Sequence, residues 1–151
     1  GHLVIATLHT NDAVQSIDRI VDVFSPHQQN QIRVQLSFCL LGIISQQLIP
    51  RADGNGRVLA TEILIKNHGV ANQIRENKTH QTHSVMESSR REGMITMDFR
   101  LKELYEAGLI SRQEVARRLS TPALLSRMAP LPQQEKEAEP AGKSNDRKKR
   151  R

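Results

Sequence analysis

GHLVIATLHTNDA, residues 1–13, is the stretch whose reading decides the fold. Leu3 to Leu8 is a short apolar run with Val and Ile, the composition of a buried strand. It stops at His9, and Thr10 and Asn11 follow at once. Asp12 and Gln15 have the spacing of a capping box, so a helix is predicted to begin close to Asn11 or Asp12. Ala13, Ile17, Ile20, Val21 and Phe24 recur at helical spacing and give that helix an apolar face. A single strand among helices cannot form a sheet, and a buried strand at residues 3–8 needs parallel neighbours that the following sequence does not supply. The expectation from packing is that the chain is the C-terminal part of something larger.

Moving outward, Pro26 suits a helix start, where its missing N–H costs little. The periodicity predicts a helix from there to about Gln46, with Ile32, Leu36, Leu40, Ile43 and Ile44 on one face and Val34, Phe38 and Leu41 on a second. Cys39 falls inside this apolar pattern and reads as a small core residue; as the single cysteine it excludes an internal disulfide and fits a reducing compartment. LIPRADGNGRVLATEIL reads as two strands around the turn Asp53-Gly54-Asn55-Gly56. Val58, Ala60 and Glu62 alternate there against Leu59, Thr61 and Ile63. Asn67 can cap a short helix carrying Val70, Ala71 and Ile74, and a polar helix with Val85 and Met86 follows Thr79, broken at Gly93. Thr96 can cap a helix bearing Leu101, Leu104 and Tyr105, which Gly108 ends. SRQE, residues 111–114, is a capping box.

Of the 151 residues, 37% are hydrophobic and 25% charged, and no apolar run reaches the ~18 residues a membrane helix needs. The net charge of +6 raises nucleic acid or an acidic surface as partners. Half of that charge lies in residues 130–151, where seven Lys or Arg face four Asp or Glu, a segment read as a disordered basic tail ending in RKKRR. Three Phe and one Tyr offer few stacking platforms for single strands, so no specific nucleic acid is expected. His80 and His83 are three apart but lack a third ligand nearby, so no metal site is expected.

GHLVIATLHTNDA resembles the His box of the secretion and pilus motor ATPases. IDRIVDVF (17–24), the run from QQNQIRVQLSFCLL to RVLATEILI (28–65), NQIRENKTHQ (72–81) and GMITMDFRLKELYEAGLIS (93–111) follow in the same order. The series is similar to the C-terminal third of PilT-type pilus retraction ATPases and covers about residues 1–125. The resemblance implies an α/β fold: the C-terminal part of a RecA-like P-loop ATPase domain, few-stranded, mostly helical, with an incomplete sheet. It implies a core portion at 1–66 and a C-terminal helical subdomain at 67–129. His9 matches the His-box histidine, with Thr7, Thr10 and Asn11 around it. A His beyond the carboxyl end of a strand can donate toward a phosphate oxygen, and Thr and Asn can orient water or a carboxylate. In the family the region of Arg57 and Val58 approaches the nucleotide base.

GVANQIRE (69–76) stands where the retraction branch carries a motif close to AIRNLIRE, which implies a role in subunit coupling for Asn72, Ile74, Arg75 and Glu76. Ala71 replaces the expected basic residue, and Gly69 lowers helix propensity by roughly 1 kcal/mol. These departures leave retraction and assembly motors both open. The bland reading of Arg75 and Glu76 is a surface ion pair. The sequence contains no G-x-x-x-x-G-K-[ST] and nothing resembling the family's acidic catalytic segments. The resemblance therefore implies ATP and Mg²⁺ for a longer protein, and no turnover by these residues alone. It also implies a hexameric homo-oligomer, with exposed apolar positions such as Val34 and Phe38 at subunit interfaces, a cytoplasmic location at the inner membrane, and a pilus platform protein as partner. The rival from another class is a helical binding module whose basic tail engages nucleic acid or an acidic partner.

Overall fold

Four helix starts follow the local cap chemistry. In the computed structural model, which describes residues 1–128, Asp12 Oδ1 accepts from Gln15 N at 2.7 Å and opens α1 (Ala13–Asp22). Gln15 Oε1 accepts in return from Asn11 N at 3.5 Å. Asn67 opens α3 (His68–Arg75) by accepting from Val70 N, Thr96 opens α5 (Met97–Glu106) by accepting from Phe99 N, and Ser111 opens α6 (Arg112–Ala116) by accepting from Glu114 N. The remaining helices are α2 (Pro26–Cys39), α4 (Thr82–Ser88) and α7 (Ala123–Arg127), with 3₁₀ turns at Thr79–Gln81 and Arg90–Glu92.

β1 (Gly42–Pro50) and β2 (Arg57–Ile65) form an antiparallel hairpin in which Gly42 faces Ile65 and Pro50 faces Arg57. The turn follows expectation: Gly54 and Gly56 take positive φ of 75° and 82°, and Asp53 accepts from Asn55 N and from the Arg51 guanidinium. On the outer edge of β2, Ile63 and Ile95 exchange both backbone hydrogen bonds, at 2.8 and 2.9 Å. One face of the hairpin carries two core clusters. Ile49 and Ala60 pack with α5 and α6 around Leu101, Tyr105 and Val115. Leu64 packs with α1, α3 and α4 around Ile17, Ile74 and Met86. The opposite face leaves Ile44, Leu48 and Leu59 exposed.

Three expectations are corrected. Residues 3–8 form no strand, and Leu3, Val4 and Ile5 are exposed, Ile5 by 88%. Among the described residues no strand lies alongside to take their hydrogen bonds, and apolar composition alone does not make a strand. The helix predicted to reach Gln46 stops at Cys39, where Leu40 turns extended with ψ of 134°. Ile43 and Ile44 thus lie on β1. Gly42 and two β-branched residues favour that switch, and the strands fit together only with glycine at position 42: a Cβ there would sit 2.8 Å from the Leu64 carbonyl oxygen. Finally, Cys39 is exposed rather than core; Val34 and Phe38 on α2 are exposed too, in keeping with their reading as positions beyond the core. The basic segment at 130–151 lies outside the described residues.

Candidate functional site

The predicted His9-Thr10-Asn11 segment leads directly into α1. His9 and Asn11 are exposed, and Thr10 is half-buried. Ser16 Oγ donates to the Asp12 carbonyl at 2.9 Å. Its single proton is thereby used, so the Thr10 hydroxyl donates to Ser16 Oγ, at 2.6 Å. Thr10 is in this way fastened to the first turn of α1. The segment stands at a helix N-terminus, where the macrodipole presents partial positive charge.

Beside it is a polar cleft of about 350 Å³ lined by Asn11, Asp12, Gln15, Gln47, Glu62, Arg117, Arg118 and Ser120. Its two arginines are committed to Glu114, which pairs with Arg117 at 2.8 Å and with Arg118. At its floor Glu62 is fully buried. Oε1 accepts from Ala13 N at 2.7 Å and Oε2 from Met97 N at 3.0 Å. Sequence reasoning placed Glu62 in a strand alternation but assigned it no part in a site. The signal was present: one acid sits between Ala60 and Leu64 on the face that carries the core.

Arg57 and Val58 lie at the turn end of β2. Five residues along a strand separate Arg57 from Glu62, about 17 Å, and neither Arg57 nor Val58 lines the cleft beside the His9 segment. Val58 is half-buried against the α5 cluster. On α3, Ile74 is fully buried. Asn72, by contrast, donates to Glu76 Oε1 at 3.0 Å and accepts from Arg75 Nη2 at 3.1 Å. The simple Arg75–Glu76 pair is corrected: Glu76 pairs with Lys78 at 2.8 Å. Hydrogen bonds from Lys78 and then Asn72 hold the Glu76 carboxyl below its ordinary pKa. Gly69 also gains a reason, because a Cβ there would meet Val85 Cγ1 at 3.0 Å, so α4 packs on α3 at that point. His80 lies in the 3₁₀ turn and His83 on α4. Among the described residues no group of three His, Cys, Asp or Glu is placed to hold a metal, and no helix is long and apolar enough to cross a membrane.

Comparison with known proteins places these features in context. The profile of the family described as "Type II/IV secretion system protein" matches residues 1–125. The chain is 48% identical over 118 residues to a "Twitching motility protein" of Neisseria gonorrhoeae, which covers 78% of this chain and 32% of that protein. It is 43% identical over 122 residues to the "Type IV pilus retractation ATPase PilT" of Pseudomonas aeruginosa, 81% of this chain and 35% of the other. A solved structure described as the pilus retraction motor PilT with bound ADP is similar with a TM-score of 0.73 at 48% identity, over 85% of this chain and 35% of that one. The chain spans about a third of the length of the curated relatives it matches.

Proposed function

Because the chain belongs to the type II/IV secretion system protein family, we propose that it serves as the C-terminal part of a RecA-like motor ATPase that drives type IV pilus retraction, and with it twitching motility. The observation that carries this reading is the similarity, at 48% identity over 85% of the chain, to a retraction motor solved with ADP. The similarity to twitching-motility and retraction proteins at 43–48% identity supports retraction over assembly.

In this reading residues 1–66 complete an ATPase core and residues 67–129 form a helical subdomain. His9 donates toward a phosphate oxygen, and Thr10 and Asn11 orient water or a carboxylate. Their position at the N-terminus of α1 supports an anion nearby. The residues present fit only one flank of such a site, because the 151 residues contain no phosphate-binding loop. ATP with Mg²⁺ therefore binds in the longer protein, and Arg57 and Val58 approach a base only there. Asn72, Arg75 and Glu76, held out from the buried anchor Ile74, couple one subunit to the next in a hexameric ring. The ring works in the cytoplasm on an inner-membrane platform protein at the pilus base.

The test is Mg²⁺-dependent ATP turnover by the 151-residue chain and by the product of the whole reading frame, with and without His9→Ala. None is expected from the chain alone. The longer protein should turn over ATP and lose about tenfold or more with His9→Ala. Turnover by the 151-residue chain, or a His9→Ala variant equal to wild type, refutes the reading. Salt-sensitive nucleic-acid binding lost on removing residues 143–151 favours the rival binding module instead.

A further inference from the structure

Glu62 is the one carboxylate that is fully buried, among the described residues, and it touches no cation. Burying an acid is costly unless its oxygens are satisfied. Here both are, each by the first backbone N–H of a different helix: Ala13 of α1 and Met97 of α5. Neither helix needs Glu62 as its ordinary cap. Asp12 already serves Gln15 N, and Thr96 already serves Phe99 N. Glu62 instead takes the first amide of each helix, a donor with no intrahelical partner, and so joins the two helix starts through β2. The Ile63–Ile95 bridge fixes the chain just before Met97 against the same strand. On the other side, Ser16 and Thr10 carry the attachment from α1 to the His9 segment.

We propose that Glu62 is the positioning residue for His9-Thr10-Asn11, a buried strut that sets the segment at a fixed distance from α5. The role rests on reading that segment as one flank of a nucleotide site. A change in the position of α5 is then transmitted to Thr10 through a single side chain, with no contact between the α5 and His9 segments required.

The test compares amide hydrogen exchange in the 151-residue chain for wild type, Glu62→Gln and Thr96→Ala. Glutamine keeps the shape but points its NH₂ at one of the two amide donors. Glu62→Gln should raise exchange about tenfold or more in residues 10–16 and in residues 96–99 together, the loss expected for a hydrogen bond to a charged group. Thr96→Ala removes only the Phe99 cap and should loosen α5 alone. Equal acceleration over the whole chain, or acceleration at one helix only, overturns the strut. In the longer protein, Glu62→Gln should lower ATP turnover about tenfold with little change in KM, the pattern of lost positioning. Thr96→Ala should leave turnover near wild type. If His9→Ala lowers turnover and Glu62→Gln does not, the positioning role fails while the nucleotide reading stands. If His9→Ala has no effect, it is the nucleotide reading that fails.

Discussion

Replacing Arg33 by Met is expected to stabilise the chain. Arg33 lies on α2 with only 7% of its surface exposed. It precedes Leu36 and Leu40 at helical spacing, and those two pack against the α1–α3–α4 cluster. Its Nη1 is buried with no hydrogen-bond partner. An unsatisfied buried donor costs about 1–3 kcal/mol, and more when the group is charged. Met retains an unbranched apolar stem that can occupy the path of the arginine methylenes. Removing the unsatisfied buried Nη1 while keeping the apolar stem argues for a gain of about 2 kcal/mol. At this chain length each kcal/mol moves Tm by roughly 2–4 °C, so the expected rise is about 4–8 °C. Thermal and urea unfolding of the 151-residue chain would measure it, with the m-value unchanged. Arg33→Ala is the control: it removes the same charge but also the stem, and should fall below Arg33→Met. Arg33→Met melting below wild type would refute the reasoning, because it would mean that the guanidinium contributes more than its burial costs.

Other consequences are equally direct. Gly42→Ala forces a Cβ to 2.8 Å from the Leu64 carbonyl oxygen, so the strands must part and about 1–3 kcal/mol should be lost; an unchanged urea midpoint would contradict this. Gly69→Ala should give up its helix-propensity gain of about 1 kcal/mol against Val85, and recover it when Val85→Ala is also present. Additive effects in that double-mutant cycle, with no coupling beyond about 0.5 kcal/mol, would count against the contact. Glu76 titrates below its ordinary pKa in the folded chain. Its contribution to stability is therefore present above the unfolded pKa and lost as pH falls through the folded one. Lys78→Met should move the Glu76 midpoint upward in an NMR titration, and a midpoint that stays put would mean Lys78 is not the main cause.

What could be read in the sequence was local. Asp12, Asn67, Thr96 and Ser111 each bond the amide three residues on, because a cap depends on one side chain and one turn. The Asp53–Gly56 turn was legible for the same reason. The misread elements depend on distant partners. The Leu36-to-Ile44 region satisfies a helical period, but Gly42 must lie flat against Leu64, a contact twenty-two residues away that no periodicity reveals. Residues 3–8 have strand composition, but a strand exists only where another strand accepts its hydrogen bonds. The start of α1 beside the His9 segment was legible through the Asp12 cap, while the part assigned to His9, Thr10 and Asn11 rests on the resemblance to a known box. Glu62 was not, because its partners are main-chain amides 49 and 35 residues away. The hint it left was an acid on an otherwise apolar strand face.

The partners of Glu62 have an evolutionary consequence. A salt bridge or a core contact ties two side chains, so change at one can be compensated at the other. Ala13 and Met97 offer Glu62 only their backbone N–H groups, which every residue except proline possesses. Both positions are free to drift in identity as far as this junction is concerned, and no mutation at either can rescue a loss at 62. In a diverging lineage the junction would leave a solitary fixed acid with no co-varying mate. Proline would be barred at two places far apart in the chain, and pairwise statistics would pass over the link altogether.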